Sequence, residues 1–400
     1  MKDTSPFTPG SPVPPDLFVG REDYVRTIRG YLKDTASGRQ ENIFLAGDRG
    51  IGKSSLARYI RRLAAKDLNI LPIHVFLGGV NDLDELVRRI FEEILKESSN
   101  QSWFSKVKEN FGNYIESVDL FGISLQFNPP KEKIESLTLH FPEAIMKLLN
   151  DTRDENKGIL IILDDINGLS KAPEFAHWYK SFVDYAATHY DSFPVCIMLI
   201  GVPELRDSLS EHQQSLLRIF HVINIERLRD LEVESFFKKA FSTVNIQIDT
   251  QALELMRYYS SGLPIMMQEI GDATYRKDSD AHIDKEDAFR GIHSAATVIG
   301  EKYLSPKVYR TIRSKPYRSI LRKMGQKGID TRFNRKEISE VLNAEEIRVF
   351  DNFLRKMKEL GIIVNDIEEG RGHYKYINAL YPVYISMESL AYQNKGERIK

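Results

Sequence analysis

Two rhythms of apolar residues divide this 400-residue chain. One is the short, mainly apolar run: Asn42-Ile43-Phe44-Leu45-Ala46, Ile70 through Leu77, Gly158 through Leu163, Pro194 through Gly201, and His221 through Ile225. Runs of this length without polar alternation predict strands buried on both faces, the habit of a parallel sheet. Pro72 within the second run points to an edge strand or a kinked start. The other rhythm is helical. Leu56, Tyr59, Ile60, Leu63 and Ala64 recur at helix spacing after the first run, and a helix over about 21–36 precedes it. Strands that alternate with helices predict an α/β layer architecture.

The pattern changes towards both ends. From about 230 to 303 it is helical throughout. Beyond 306, helical stretches near Tyr317–Met324, Arg335–Leu342 and Ala344–Leu360 lead to Ile362-Ile363-Val364, a polar turn at 368–372 and Tyr374-Lys375-Tyr376-Ile377, a predicted hairpin. Residues 1–15 carry Pro6, Pro9, Pro12, Pro14 and Pro15 and read as an extended, disordered leader. An insertion is expected over about 95–135. Its alternating Leu120–Phe127 suggests one arm of a hairpin, and its length and polar flanks suggest a surface for a partner or another copy. The expected divisions are thus 1–15, a core at 16–228, a helical domain at 229–303, a C-terminal domain at 304–392 and a tail at 393–400.

Candidate chemistry sits where the first strand meets its helix. Gly47-Asp48-Arg49-Gly50-Ile51-Gly52-Lys53-Ser54 fits the phosphate-binding pattern G-x-x-x-x-G-K-[ST], with Ser55 next in the helix. The glycines let successive backbone N–H groups converge on phosphate oxygens, and the helix N-terminus adds partial positive charge. Lys53 would reach the β- and γ-phosphates, and the Ser54 hydroxyl would ligate Mg²⁺. The complementary acid is expected at the end of another buried strand, where open α/β sheets place their ligands. Leu163 is followed by Asp164 and Asp165. Asp164 is assigned to the Mg²⁺ shell and Asp165 to orienting or deprotonating the attacking water.

Asp165-Ile166-Asn167-Gly168 also fits the D-x-x-G of GTP switches. Guanine selectivity usually adds N-K-x-D, whose carboxylate pairs with guanine N1–H and N2–H. Asn156-Lys157-Gly158-Ile159 lacks that Asp, and Asn394-Lys395 continues Gly396-Glu397. ATP is therefore expected over GTP, and ADP as its product. No L-S-G-G-Q-like stretch supports a transporter-type ATPase.

Around these motifs the chain resembles the AAA+ and STAND-type P-loop ATPases. Asp16-Leu17-Phe18-Val19-Gly20-Arg21-Glu22 looks like the F-V-G-R-E segment that opens many of them. On that resemblance Val19 and Gly20 would contact adenine and Arg21 would brace the pocket. Pro194–Pro203 is similar to the sensor-1 strand, but Gly201-Val202-Pro203 replaces the polar residue that usually ends it. Arg218 lies where an arginine finger or its STAND counterpart would sit, beside a second reading as a plain helix arginine. Ser261-Gly262-Leu263-Pro264 resembles the G-x-P element of the lid, which adds Pro264 to the nucleotide pocket and leans the chain towards archaeal-type and origin-recognition-initiator-like ATPases. The implied fold is a P-loop NTPase parallel sheet of the AAA+/ASCE type, with a helical lid and a C-terminal winged helix.

Composition narrows the remaining choices. Apolar residues at 42% and charged residues at 28% are ordinary for globular proteins. The longest apolar runs fall short of a membrane span, and no apolar core follows Met1-Lys2-Asp3 as a secretory signal would require, so a cytoplasmic location is expected. Cys196, the one cysteine, sits in an apolar strand as a core thiol. The nine histidines show no metal-ligand spacing, so Mg²⁺ with the nucleotide is the ion expected.

Charge is uneven. Against a net −1 for the whole chain, 302–337 holds twelve basic residues and only Asp330 and Glu337. Such a segment could meet the phosphates of double-stranded DNA. Acids in the expected recognition helix, Glu345, Glu346, Asp351 and Glu359, argue for a protein-facing role instead. The sequence therefore predicts an ATP-hydrolysing switch whose nucleotide state controls DNA or a protein partner through the winged helix, with nucleotide-dependent homo-oligomers in view. The alternative is a signalling scaffold with tight nucleotide binding, little turnover and no DNA contact. A transposition or defence accessory ATPase would share the same plan.

Overall fold

The computed structural model describes residues 4–98, 105, 115–119 and 123–397. They fall into two units, Pro14–Glu226 and Met1–Val13 with Arg227–Lys400.

In the first unit the strands are β1 Glu41–Ala46, β2 Ile70–Phe76, β3 Ile115–Asp119, β4 Ile123–Phe127, β5 Gly158–Asp164, β6 Val195–Gly201 and β7 His221–Asn224. Five of them form one parallel sheet in the order β2-β5-β6-β1-β7. β5 and β6 are buried along their whole length, as their unbroken apolar runs require. Pro72 is tolerated because β2 lies at an edge of the sheet. The core joins sheet to helices through Phe44, Phe91, Ile161, Phe175 and Tyr179. Buried Asn42 is satisfied by the Tyr179 hydroxyl, which donates to its Oδ1 at 2.7 Å. One strand, β6, separates β1 from β5, so the loop after β1 and the acids at the end of β5 emerge at the same C-terminal end of the parallel strands.

The expected insertion is narrower than 95–135. The helix Leu83–Ser98 runs past its start with Leu95 and Ser98 buried, and Ile134 and Leu137 of the helix Lys131–Leu139 are buried in the core. β3 and β4 form the antiparallel hairpin suggested by the alternation. Phe127, which ends β4, is fully buried with its ring 6.2 Å from that of Phe91. Leu120, Phe121 and Gly122 lie outside the described residues, as do 99–104 and 106–114.

The second unit opens with the helices Asp230–Ser242, Thr250–Ser260, Pro264–Lys277 and Lys285–Ile299, with a short parallel pair, β8 Gln247–Ile248 and β9 His282–Ile283. A π-helical stretch, Gly300–Tyr309, carries the chain onward and contains Pro306. Then come the helix Lys315–Lys327, β10 Arg332–Asn334, the helices Arg335–Ser339 and Ala344–Glu359, β11 Ile363–Asn365 and β12 His373–Tyr376. These three strands pair antiparallel in the order β10-β12-β11. The helix Ala344–Glu359 starts with a capping box, Asn343 Oδ1 accepting from the Glu346 N–H at 2.9 Å and the Glu346 carboxylate from the Asn343 N–H at 2.8 Å.

Two terminal expectations are corrected. Among residues 1–15, expected as a disordered leader, the described part is packed. Phe7 is 3% exposed and lies against Phe236, Phe237 and Phe241, and the Thr8 N–H donates to Gln268 Oε1 at 2.6 Å. The prolines stretch the chain, but one aromatic anchor holds it. The expected tail from 393 is a helix as far as 397, the last turns of Leu380–Glu397.

Candidate active site

β1 ends at Ala46, and the next six residues turn the chain into the helix Lys53–Leu68. Gly50 and Gly52 take φ of +77° and +92°, which an L side chain adopts only at a cost. The root of this loop is pinned on both sides. The Gly47 N–H donates to Gly201 O at 3.3 Å, and the Ile225 N–H donates to Ala46 O at 2.7 Å. The Lys53 ammonium folds back over the loop, donating to Gly47 O at 2.6 Å and Asp48 O at 2.9 Å. Burial pushes its pKa down, and Asp164 and Asp48 pull partly the other way. Asp48 and Arg49 are exposed, Ile51 is buried and Ser55 half-buried.

Residues 110 positions apart in sequence meet here. Ser54 Oγ donates to Asp164 Oδ2 at 2.9 Å. Asp164 is only 6% exposed, and its carbonyl accepts from the Leu77 N–H at 2.8 Å, which ties the end of β5 to the end of β2. Asp165 follows with φ +65°, exposed, its Oδ1 held by the Asn167 amide. Gly168 completes the turn because a Cβ there would lie 2.1 Å from Val80 O.

Behind the loop stands Arg21, buried and itself left-handed at φ +65° after Gly20 at +75°. Its guanidinium donates to Ile51 O and, at 3.4 Å, to Glu226 O. It therefore joins the phosphate loop to the segment after β7, and Val19 is half-buried beside it in sequence. Phe18 stacks on Tyr59 with centroids 4.6 Å apart.

Of the two remaining expected residues, one lies in this unit and one in the other. Arg218 lies on the short helix Leu216–Ile219, exposed, its backbone N–H donating to Ser215 O at 3.1 Å, with no side-chain ion pair or hydrogen bond among the described residues. Pro264 is the first residue of the helix Pro264–Lys277 in the other unit.

One residue absent from the expected set is present. His74 on β2 is half-buried as a residue with its side chain turned inward, and its Nε2 lies 3.4 Å from Asp164 Oδ2 without forming a hydrogen bond. Its ring stacks on Phe76, with centroids 4.4 Å apart. The signal in the sequence was a single polar residue inside an apolar run, three positions before that run ends at Leu77.

Comparison with known proteins agrees with this geometry. Residues 17–176 match the AAA ATPase domain family. The solved Walker-type ATPase PABY2304 of Pyrococcus abyssi is 19% identical, with 92% of this chain and 96% of that chain covered, at a TM-score of 0.51. The Aeropyrum pernix ORC2 protein, solved as ADPNP-ADP complexes, is 13% identical over 98% of this chain and 97% of that one, at a TM-score of 0.57. At such identities these likenesses speak to the fold. No curated protein matches the chain. From its family match and its fold, the chain carries an AAA ATPase domain and is a P-loop ATPase.

Proposed function

We propose that this ATPase binds Mg-ATP at the phosphate loop and passes its nucleotide state to DNA through a C-terminal winged helix. The observation that carries the reading is the 2.9 Å bond from Ser54 Oγ to Asp164 Oδ2 beside Lys53. Two hard oxygen donors brought together next to a phosphate-binding loop suit Mg²⁺, which prefers carboxylate, hydroxyl, water and phosphate oxygens. A magnesium ion held there supplies charge neutralisation at the phosphates. The backbone N–H groups of Gly47–Ser54 bind and orient the phosphates, with Ser55 following them in the helix. Lys53 exchanges its loop carbonyls for the β- and γ-phosphates, and Asp165 orients or deprotonates the attacking water. Val19 and Gly20 contact adenine, and Arg21 braces the loop.

The domain reading that goes with this is a core at 16–228, a lid at 229–303 and a winged helix at 304–392. The last is supported by the order helix, β10, two helices, then the β11–β12 hairpin, with all three strands in one sheet. DNA is favoured by the basic segment. Lys302, Lys323, Arg332 and Arg335 are spent on carboxylates of this chain. Lys307, Arg310, Arg313, Lys315, Lys327 and Lys336 are exposed and have no acidic partner among the described residues.

A second reading, a scaffold with slow turnover, is favoured by Gly201, which brings no side chain to the end of β6. Its carbonyl serves Gly47 instead. The test is ATP affinity and turnover of the whole protein beside Lys53→Ala. Removing a charged hydrogen-bond donor to phosphate should weaken ATP binding by about tenfold or more. Unchanged affinity would remove the phosphate-loop assignment. Tight binding with negligible turnover in the unaltered protein would favour the scaffold.

A further inference from the structure

We propose that His74 is a positioning residue for the magnesium site, holding the Asp164 carboxylate in place beside Ser54. The inference rests on the Mg-ATP reading above and assigns that site a residue outside its motifs.

The argument starts from strand register. β2 and β5 pair in parallel, with Phe76 opposite Asp164 and His74 opposite Ile162. Side chains two apart on a strand share a face, so His74 lies one step behind Asp164 on the same side of the sheet. Its side chain is 8% exposed, and that of Asp164 is 9% exposed. A buried ring nitrogen without a hydrogen bond is unfavourable and calls for an explanation. Among the described residues His74 Nε2 is such an atom, and Asp164 Oδ2 is 3.4 Å away.

Asp164 Oδ2 is also the atom that accepts from Ser54 Oγ. A serine hydroxyl that ligates a cation through a lone pair keeps its proton to donate, so it can go on holding Asp164 Oδ2. A carboxylate oxygen has room for a second donor. His74, with its proton on Nε2, is placed to supply it. The ring is kept in position by stacking on Phe76. The end of β2 is itself clamped, since Arg89 Nη1 donates to Phe76 O at 2.8 Å while its Nε donates to Glu85 at 2.8 Å. Partners of metal-binding carboxylates orient the ligand and tune affinity without touching the ion.

The experiment measures Mn²⁺ affinity by electron paramagnetic resonance at saturating ADP, and ADP affinity in EDTA by calorimetry, in the full chain. Wild type is compared with His74→Ala and His74→Gln, whose amide nitrogen can occupy the position of Nε2. Loss of an outer-shell partner predicts Mn²⁺ binding about tenfold weaker in His74→Ala, with ADP affinity in EDTA unchanged. His74→Gln should recover most of the loss. Equal Mn²⁺ affinity in wild type and His74→Ala overturns the inference alone. So does an equal fall in EDTA, which marks a merely structural role. Failure of the wild type to bind ADP overturns the site reading and the inference together.

Discussion

Asp165 occupies a backbone conformation that costs an ordinary residue about 1 kcal/mol or more, φ +65°, in the turn just past the end of β5. Aspartate and asparagine tolerate this region better than other side chains, because a short polar group can bond locally. Here the Asn167 amide supplies that bond. Gly168 closes the turn against the Val80 carbonyl, where a Cβ would stand 2.1 Å away. The turn thus points an exposed carboxylate outward beside a buried one. Asp165→Asn keeps the shape and the left-handed tolerance while removing the charge. Mg-ATP affinity should stay within about twofold, and turnover should fall about a hundredfold, the usual scale for losing a general base. Loss of Mg-ATP binding would exchange the roles assigned to Asp164 and Asp165. Equilibrium binding and single-turnover hydrolysis measured on the same preparation separate the two.

At the scale of elements, legibility followed how local the determining contacts are. The strands β1, β5 and β6 were readable because burial on both faces leaves an unbroken apolar run. The phosphate loop was readable because its glycines and Lys53 act within eight residues. The pairing of Ser54 with Asp164 was readable only as two motifs that each demanded the other. His74 was missed because its partner lies on another strand, and nothing in its own run names that neighbour. The leader was misread for the same reason. Its prolines dominate the local pattern, while Phe7 is held by Phe236, Phe237 and Phe241 and by Gly271, where a Cβ would meet the ring at 2.2 Å. A buried phenylalanine cut to alanine typically costs about 3–5 kcal/mol in a rigid core. A short strap anchored by a single ring can lift away and relax part of that loss. Phe7→Ala should therefore destabilise the second unit by about 2–3 kcal/mol in denaturant unfolding. A change under about 0.5 kcal/mol would return residues 4–13 to the status of a loose leader.

For the whole molecule the deciding quantity is how much positive charge remains free. Counting residues overstates it, because Arg332 alone faces Asp366 at 3.3 Å, Glu368 at 2.8 Å and Glu369 at 3.5 Å. Arg318 donates to Ile312 O and Tyr309 O, and Arg322 lies over the Tyr392 ring. What stays available is concentrated at Arg310 and Arg313, just before the helix Lys315–Lys327, and at Lys315, its first residue, whereas Arg355, across a cavity of about 260 Å³ from Arg313, is paired with Glu359 at 4.0 Å. If phosphates bind there, each neutralised phosphate contributes about −0.9 to the slope of log affinity against log salt. The double substitution Arg310→Ala with Arg313→Ala should then flatten that slope by about 2 for a DNA duplex. Arg332→Ala should leave the slope unchanged, since its charge is already spent within the chain. Fluorescence anisotropy with ATP, ADP and no nucleotide, over a salt series, reads both effects. A slope that moves equally with all three positions would mean that the internal ion pairs open on binding. No duplex binding in any nucleotide state would instead assign the free arginines to an acidic protein partner, where the same double substitution should abolish nucleotide-dependent assembly.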